Sequence, residues 1–292
     1  MKCVFVVVFT LSLILAVSTS VRSVNDTNYF ESQTRIINGN DAASGQFPYY
    51  VRITIFEVYL GSCGGIILAP DWILTAGHCV KGESGVYSLF IIEAGFVNVL
   101  PLPGLLLVSV PTQTASAMPL VSQGAVYPHP AYDIPTRMND IALIKTILPL
   151  NLNGQFAKAV ALPLDSYTVA DTYANKMATV CGFGLTGNVG SGATTPTNLK
   201  YTALKIIPYS TCQEIYGVEP IPSTSFCGVD DTPPISSVCS GDSGGPIVLT
   251  INNVVTVIGV VSYASWDGCN AKPQVFTDIL KFLRWIHERM ET

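Results

Sequence analysis

Three short segments hold residue types that can do covalent chemistry together: Thr75-Ala76-Gly77-His78-Cys79, Asn139-Asp140-Ile141-Ala142-Leu143-Ile144-Lys145 and Gly241-Asp242-Ser243-Gly244-Gly245-Pro246. Taken singly, each has an ordinary structural explanation. A lone histidine is usually structural, an acid before a strand is usually a turn residue, and a Gly/Ser cluster is usually a loop. Taken together they supply a base, an orienting acid and a nucleophile. A serine hydroxyl attacks poorly until a neighbouring imidazole takes its proton, and that imidazole needs a buried carboxylate to hold its tautomer and stabilise the imidazolium. The chemistry this set could perform is acyl transfer from a carbonyl to the Ser243 hydroxyl. The other two histidines, His129 (before Pro130) and His287, read as structural or solvated. Scattered histidines without cysteine or acid at ligand spacing do not make a zinc site, so neither metal nor cofactor is expected.

The elements that must position these residues are mostly strands. Short β-branched and aromatic runs recur between Gly, Pro, Asn and Asp clusters: Tyr49–Ile55, Gly65–Leu68, Trp72–Thr75, Leu89–Ala94, Ile141–Ile144, Ala178–Cys181, Ile247–Ile251 and Val254–Tyr263. This is the signature of an all-β barrel or sandwich. The last dozen residues carry the only convincing helical pattern, with Ile279, Phe282, Leu283 and Ile286 on one side and Lys281, Arg284, His287 and Glu288 more to the other. A softer stretch, Leu148–Ala159, could join two halves that each have their own core.

The chain of 292 residues is 49% hydrophobic and only 12% charged, with a net charge of −5. That is too apolar for a disordered chain and lacks the basic run of a nucleic-acid binder. Position decides whether the hydrophobicity means a membrane. Met1-Lys2 precedes an apolar run, Cys3–Val17, followed by Ser18, Thr19 and Ser20. This is the layout of a secretory signal peptide, short for a span that needs about 20 residues. Residues 1–20 are therefore expected to be removed, leaving a secreted, extracellular protein without a membrane span. Val97–Val110 is also apolar, but Pro101, Pro103 and Gly104 interrupt it. Proline lacks the donor a helix needs, so strand–turn–strand is expected there, either as buried sheet or as an exposed patch for a partner. Eight cysteines point to an oxidising compartment, and losing Cys3 with the signal leaves an odd number.

The three motifs, their order and their spacing resemble the chymotrypsin-like family of serine endopeptidases from Ile36 to the C-terminus. The resemblance implies two antiparallel Greek-key β-barrels with a C-terminal α-helix: residues 36–150, 160–278 and 279–290. It makes His78 the general base and then acid, Asp140 the orienting acid and Ser243 the nucleophile. The backbone N–H groups of Gly241 and Ser243 form the oxyanion hole, and Ser262 supports the acid and lines the substrate strand. Arg35-Ile36-Ile37-Asn38-Gly39 resembles the family's activation site, with a propeptide at 21–35. Cleavage after Arg35 then frees the Ile36 ammonium to pair with Asp242. The implied disulfides are Cys63–Cys79, Cys212–Cys227 and Cys239–Cys269, leaving Cys181 as a buried thiol or an intermolecular bridge. The family's calcium loop has only Glu93 here, so no calcium dependence is expected.

The resemblance also places Ser237 at the base of the specificity pocket, where a trypsin-like enzyme has Asp. Strict basic specificity is therefore not expected, and a separate trypsin-like protease is needed to cut at Arg35. Val238, Ala264 and Gln274 stand at the pocket walls. An inward Gln274 gives a narrow, elastase-like pocket, and an outward one a chymotrypsin-like pocket. Gly77, Phe183 and Tyr263 depart from the family's usual Ala, Trp and Trp. The chain is thus expected to be a secreted zymogen and monomer that hydrolyses proteins or peptides. A weakly active or non-catalytic homologue acting by binding is the alternative.

Overall fold

The computed structural model describes residues 36–56, 60–100, 108–109, 113–117, 125–164, 172–188 and 194–292. The segments expected to be a signal peptide (1–20) and a propeptide (21–35) lie outside these, as do residues 101–107 and 110 of the apolar stretch.

The N-terminal half contributes β1 (Asn40–Asp41), β2 (Tyr50–Phe56), β3 (Leu60–Ala69), β4 (Trp72–Thr75), β5 (Lys81–Gly82), β6 (Gly85–Val86) and β7 (Leu89–Ala94). It continues with β8 (Val99–Leu100), β9 (Val108–Ser109), β10 (Gln113–Ala117), β11 (Ala125–Pro128) and β12 (Ala142–Lys145). Seven of these form one curled antiparallel sheet in the order β10-β7-β2-β3-β4-β12-β11. Fully buried Ile53, Ile66, Ile73, Leu74, Phe90, Ile92, Leu143 and Ile144 belong to one hydrophobic core around it. The alternation along β7, where Phe90, Ile92 and Ala94 are buried and their neighbours half-buried, follows from the two-residue period of a strand.

The C-terminal half contributes β13 (Met177–Gly182), β14 (Lys200–Ile207), β15 (Ser225–Val229), β16 (Pro246–Ile251), β17 (Val254–Tyr263) and β18 (Gln274–Asp278). These pair as β14-β13-β16-β17-β18-β15, and β15 returns to β14, so this sheet closes into a six-strand barrel. Closure removes free edges from the sheet. Its interior holds Val180, Leu204, Phe226, Ile247, Ile258, Val261 and Phe276. The strand β1 crosses from the N-terminal half to pair with β14, so the residues just after Ile37 join the other barrel.

Two helices are present among the described residues. The C-terminal one begins as a 3-10 turn, Ile279–Lys281, capped by the Asp278 carboxylate accepting the Leu280 N–H, and continues as α2 (Leu283–Met290). It packs Phe282, Leu283 and Ile286 onto the N-terminal sheet core. The other, α1 (Tyr209–Tyr216), corrects the expectation of a single helix. It is only eight residues long and buries little beyond Cys212 and Tyr216, too short a pattern to stand out by periodicity. The Cys212–Cys227 disulfide fastens α1 to β15. No helix among the described residues is long and apolar enough to cross a membrane.

The described ends of the apolar stretch form the two-residue ladder β8–β9. Val99 is buried with Ala42, Tyr50, Cys181, Phe183 and Leu199, and its N–H donates to the Thr197 carbonyl. Val99 itself is thus buried packing. Because Ile92 is fully enclosed in the N-terminal sheet core, Ile92→Ala should cost about 2–5 kcal/mol of stability. Chemical denaturation of the purified chain checks this as a lowered midpoint.

Candidate active site

His78 sits on a 3-10 turn, Gly77–Cys79, immediately after β4. The Cys63–Cys79 disulfide fastens the turn to β3. Gly77 has a local reason: a Cβ there would lie 3.0 Å from the Tyr132 ring and 3.2 Å from the Asp140 carboxylate. Its lack of a side chain lets both approach the turn.

Asp140 enters β12 behind Asn139, which takes a left-handed backbone (φ 57°) that asparagine tolerates. Its carboxylate is 1% exposed. One oxygen accepts the His78 backbone N–H at 2.8 Å. The other lies 2.8 Å from His78 Nδ1 and accepts the Ser262 hydroxyl at 2.5 Å. Burial pushes the Asp140 carboxyl up, but the His78 charge and the hydrogen bonds from His78 and Ser262 outweigh it and hold it below its ordinary value. The acid therefore stays an anion and presents its oxygen to Nδ1, leaving Nε2 free for a second partner.

Ser243 stands between Gly241 (φ 101°) and Gly244 (φ 80°), both in backbone regions closed to most side chains. A Cβ at Gly244 would fall 2.2 Å from Thr75 Oγ1 and 2.4 Å from the Gly64 carbonyl. The loop is thus docked tightly on the N-terminal sheet, where the Gly64 N–H donates to the Ser243 carbonyl at 2.7 Å. Among the described residues, the N–H groups of Gly241 and Ser243 have no acceptor, so they can receive an oxygen that becomes negative during reaction.

Asp242 is fully buried beside Ser243. Its two oxygens accept the N–H groups of Gly184 at 2.7 Å and Cys239 at 2.8 Å. A Cβ at Gly182 or Gly184 would collide with this carboxylate at 2.0 or 2.3 Å, so both glycines form its cradle. Burial pushes the Asp242 carboxyl up to about 6, against those two hydrogen bonds. Ile36 is also fully buried, and Ile37 pairs with Ser237 in an isolated antiparallel bridge.

His78 and Ser243 line one cleft of about 920 Å³ between the halves. Val238, Ser262 and Ala264 line it too, whereas Ser237 and Gln274 are buried and are not among its lining residues. Gln274 is 2% exposed; its Nε2 donates to the Lys272 carbonyl, and its Oε1 has no partner. On β18 it shares a face with Phe276 in the barrel interior. The Cys239–Cys269 disulfide braces the same wall, with the Cys269 N–H donating to Asn188 Oδ1 at 2.7 Å. Sequence reasoning missed the outer rim. Lys272 lies 3.3 Å from both Glu219 and Asp267, and the Tyr216 hydroxyl donates to the Pro273 carbonyl at 2.7 Å. These residues carry no motif and meet only through α1 and its disulfide.

Two other expectations meet their surroundings here. Cys181 is buried, and burial followed by the Asp242 charge pushes its thiol well up, so it is not positioned to bridge a second chain. Glu93 pairs with Arg52 at 2.7 Å. Cys63, His78 and Cys79 lie close enough to suggest a metal cluster, but both sulfurs are already committed to their disulfide.

Comparison with known proteins agrees with this geometry. The chain is 31% identical to a collagenase of Hypoderma lineatum over 96% of its own length and 97% of that protein's. It is 30% identical to chymotrypsin-like elastase family member 3B of Macaca mulatta, covering 87% of this chain and 93% of that one. A solved structure of HL collagenase superposes with a TM-score of 0.69 at 28% identity, covering 88% of this chain and 99% of the other. The Trypsin family profile matches residues 36–286, and the chain belongs to that family of serine endopeptidases.

Proposed function

We propose that this protein is a secreted zymogen whose cleaved form hydrolyses internal peptide bonds at non-basic residues. The observation that carries the catalytic part is the buried Asp140 carboxylate bonded to both His78 and Ser262 at the edge of the cleft that holds Ser243. In the proposed reaction, Ser243 Oγ attacks the scissile carbonyl while His78 Nε2 takes its proton. The oxyanion forms against the N–H groups of Gly241 and Ser243. His78 then returns the proton to the leaving amine, and water repeats the sequence to release the acyl group. Residues 1–20 act as the signal and 21–35 as the propeptide. A separate trypsin-like protease cuts after Arg35.

The buried Asp242 supports the activation reading. An ionised carboxylate in that position is costly without a counter-charge, and the ammonium freed at Ile36 would supply one. The buried Ile36 and the Ile37–Ser237 bridge support an entry for the new terminus beside Asp242.

Specificity follows from the floor of the cleft. Val238 and Ala264 narrow it, whereas Gln274 is buried away from its lining. A shallow pocket for small or medium apolar side chains is the reading this supports. The elastase name of one relative agrees with it.

Five outcomes test the proposal. After cleavage at Arg35, Ser243 should react with an active-serine phosphonate, and Asp140→Asn should lower kcat by about 10⁴ because His78 loses its tautomer control. Steady-state kinetics read this directly. The Ile36 amine, ordinarily near 7.7–8.0, should be raised by pairing with Asp242. The activity that depends on this pair is then lost as pH rises through the raised value. Acetylating the new terminus should abolish activity at every pH, and full activity in the acetylated enzyme rules the mechanism out. Ala264→Gly should widen the cleft wall, shifting a peptide-library profile toward Phe and Tyr at the cleaved residue.

A further inference from the structure

The loop between β11 and β12 brings a cation to the cleft that the catalytic reading does not use. Arg137 lines the cleft with His78 and Ser243, on the side formed by the N-terminal half. Its backbone is left-handed (φ 58°) and its Nη1 donates to the Tyr132 hydroxyl at 3.1 Å. The loop is held firmly. The Asp133 N–H donates to the Met138 carbonyl at 3.0 Å, the Thr136 N–H and hydroxyl donate to the Asp133 carboxylate, and Asn139 Nδ2 donates to the Ala131 carbonyl at 2.7 Å.

Every acid near Arg137 is engaged elsewhere. Glu219 and Asp267 pair with Lys272, Asp140 is bonded to His78 and Ser262, and Asp133 serves Thr136. Among the described residues, no carboxylate pairs with Arg137. The guanidinium also reaches the opposite strand electrostatically. Burial pushes the Tyr263 phenol up to about 12, with the Glu219, Asp140 and Tyr209 charges acting the same way and the Arg137 charge opposing them. A positive charge is therefore held, without a paired carboxylate among the described residues, in the cleft that His78 and Tyr263 also line.

An extended peptide alternates its side chains between two faces. If one side chain enters the pocket walled by Val238 and Ala264 in the C-terminal barrel, its two neighbours along the peptide point to the opposite side, toward His78 and Arg137. We propose that Arg137 is a specificity-determining residue that selects Asp or Glu immediately before the residue held in the pocket. The inference rests on the cleft assignment above and adds a charged requirement to it.

The test compares two fluorogenic peptides that differ only by Glu or Gln at that position, cleaved by the full chain activated at Arg35. At low salt, kcat/KM should favour Glu by about fivefold, the scale of a partly exposed ion pair. The ratio should shrink toward one near 1 M salt, where the screening length is about 3 Å. It should be near one in Arg137→Gln, below one in Arg137→Glu, and largely retained in Arg137→Lys. Because each ratio is taken within one variant, loss of folded enzyme cancels. A wild-type ratio near one, a Glu preference surviving in R137E, or a preference displaced to another position overturns the inference while leaving the endopeptidase reading intact. Failure of the activated enzyme to cleave either peptide, or to react with the phosphonate, overturns both.

Discussion

The Asp140 carboxylate is the point at which the two halves of the molecule become one site. It belongs to the N-terminal sheet, yet it accepts hydrogen bonds from His78 on its own side and from Ser262 in the C-terminal barrel, while its backbone carbonyl accepts the Thr277 hydroxyl at 2.8 Å. Burying an anion is costly, and only a full complement of donors offsets that cost. The donors come from β17, β18 and the turn after β4, so the carboxylate is comfortable only when both sheets are complete and correctly docked. The orientation of the imidazole is thereby tied to the closure of a barrel to which His78 does not belong.

A second set of contacts works by removing atoms instead of adding them. Gly64 and Gly245 approach so closely that a Cβ on Gly64 would lie 2.8 Å from the Gly245 Cα. Gly244 fits under Thr75, and Gly182 and Gly184 surround Asp242. Backbone–backbone contact between the halves holds the Ser243 loop, with the Gly64 N–H donating to the Ser243 carbonyl and the Gly244 N–H to the Val261 carbonyl.

The residue types of the candidate site were legible in the sequence because their motifs are local: each of His78, Asp140 and Ser243 sits in a short signature. Strands with continuous β-branched runs, such as Trp72–Thr75 and Val254–Tyr263, were equally legible, and the structure places them at those bounds. Strand β14 was not recognised, although Lys200–Ile207 alternates buried and less buried positions, because Lys200 and Thr202 fill two of its inward sites. Inward Lys200 is accommodated by an ion pair with Asp41 of β1, a partner far away in the chain. The cleft rim was hidden for the same reason. Arg137, Tyr216 and Lys272 acquire roles only through contacts set by tertiary structure, which no local pattern encodes.

Ile36 carries one further consequence. Its φ of 43° places a β-branched residue in the left-handed region, a conformation that costs on the order of 1–3 kcal/mol. That torsion is defined across the bond to Arg35, so under the proposed activation it ceases to exist when the bond is cut. The intact chain would then be opposed twice in adopting this arrangement, once sterically at Ile36 and once electrostatically at Asp242. A single hydrolysis removes both oppositions, so the switch is a covalent latch whose release is favoured by backbone geometry as well as by charge.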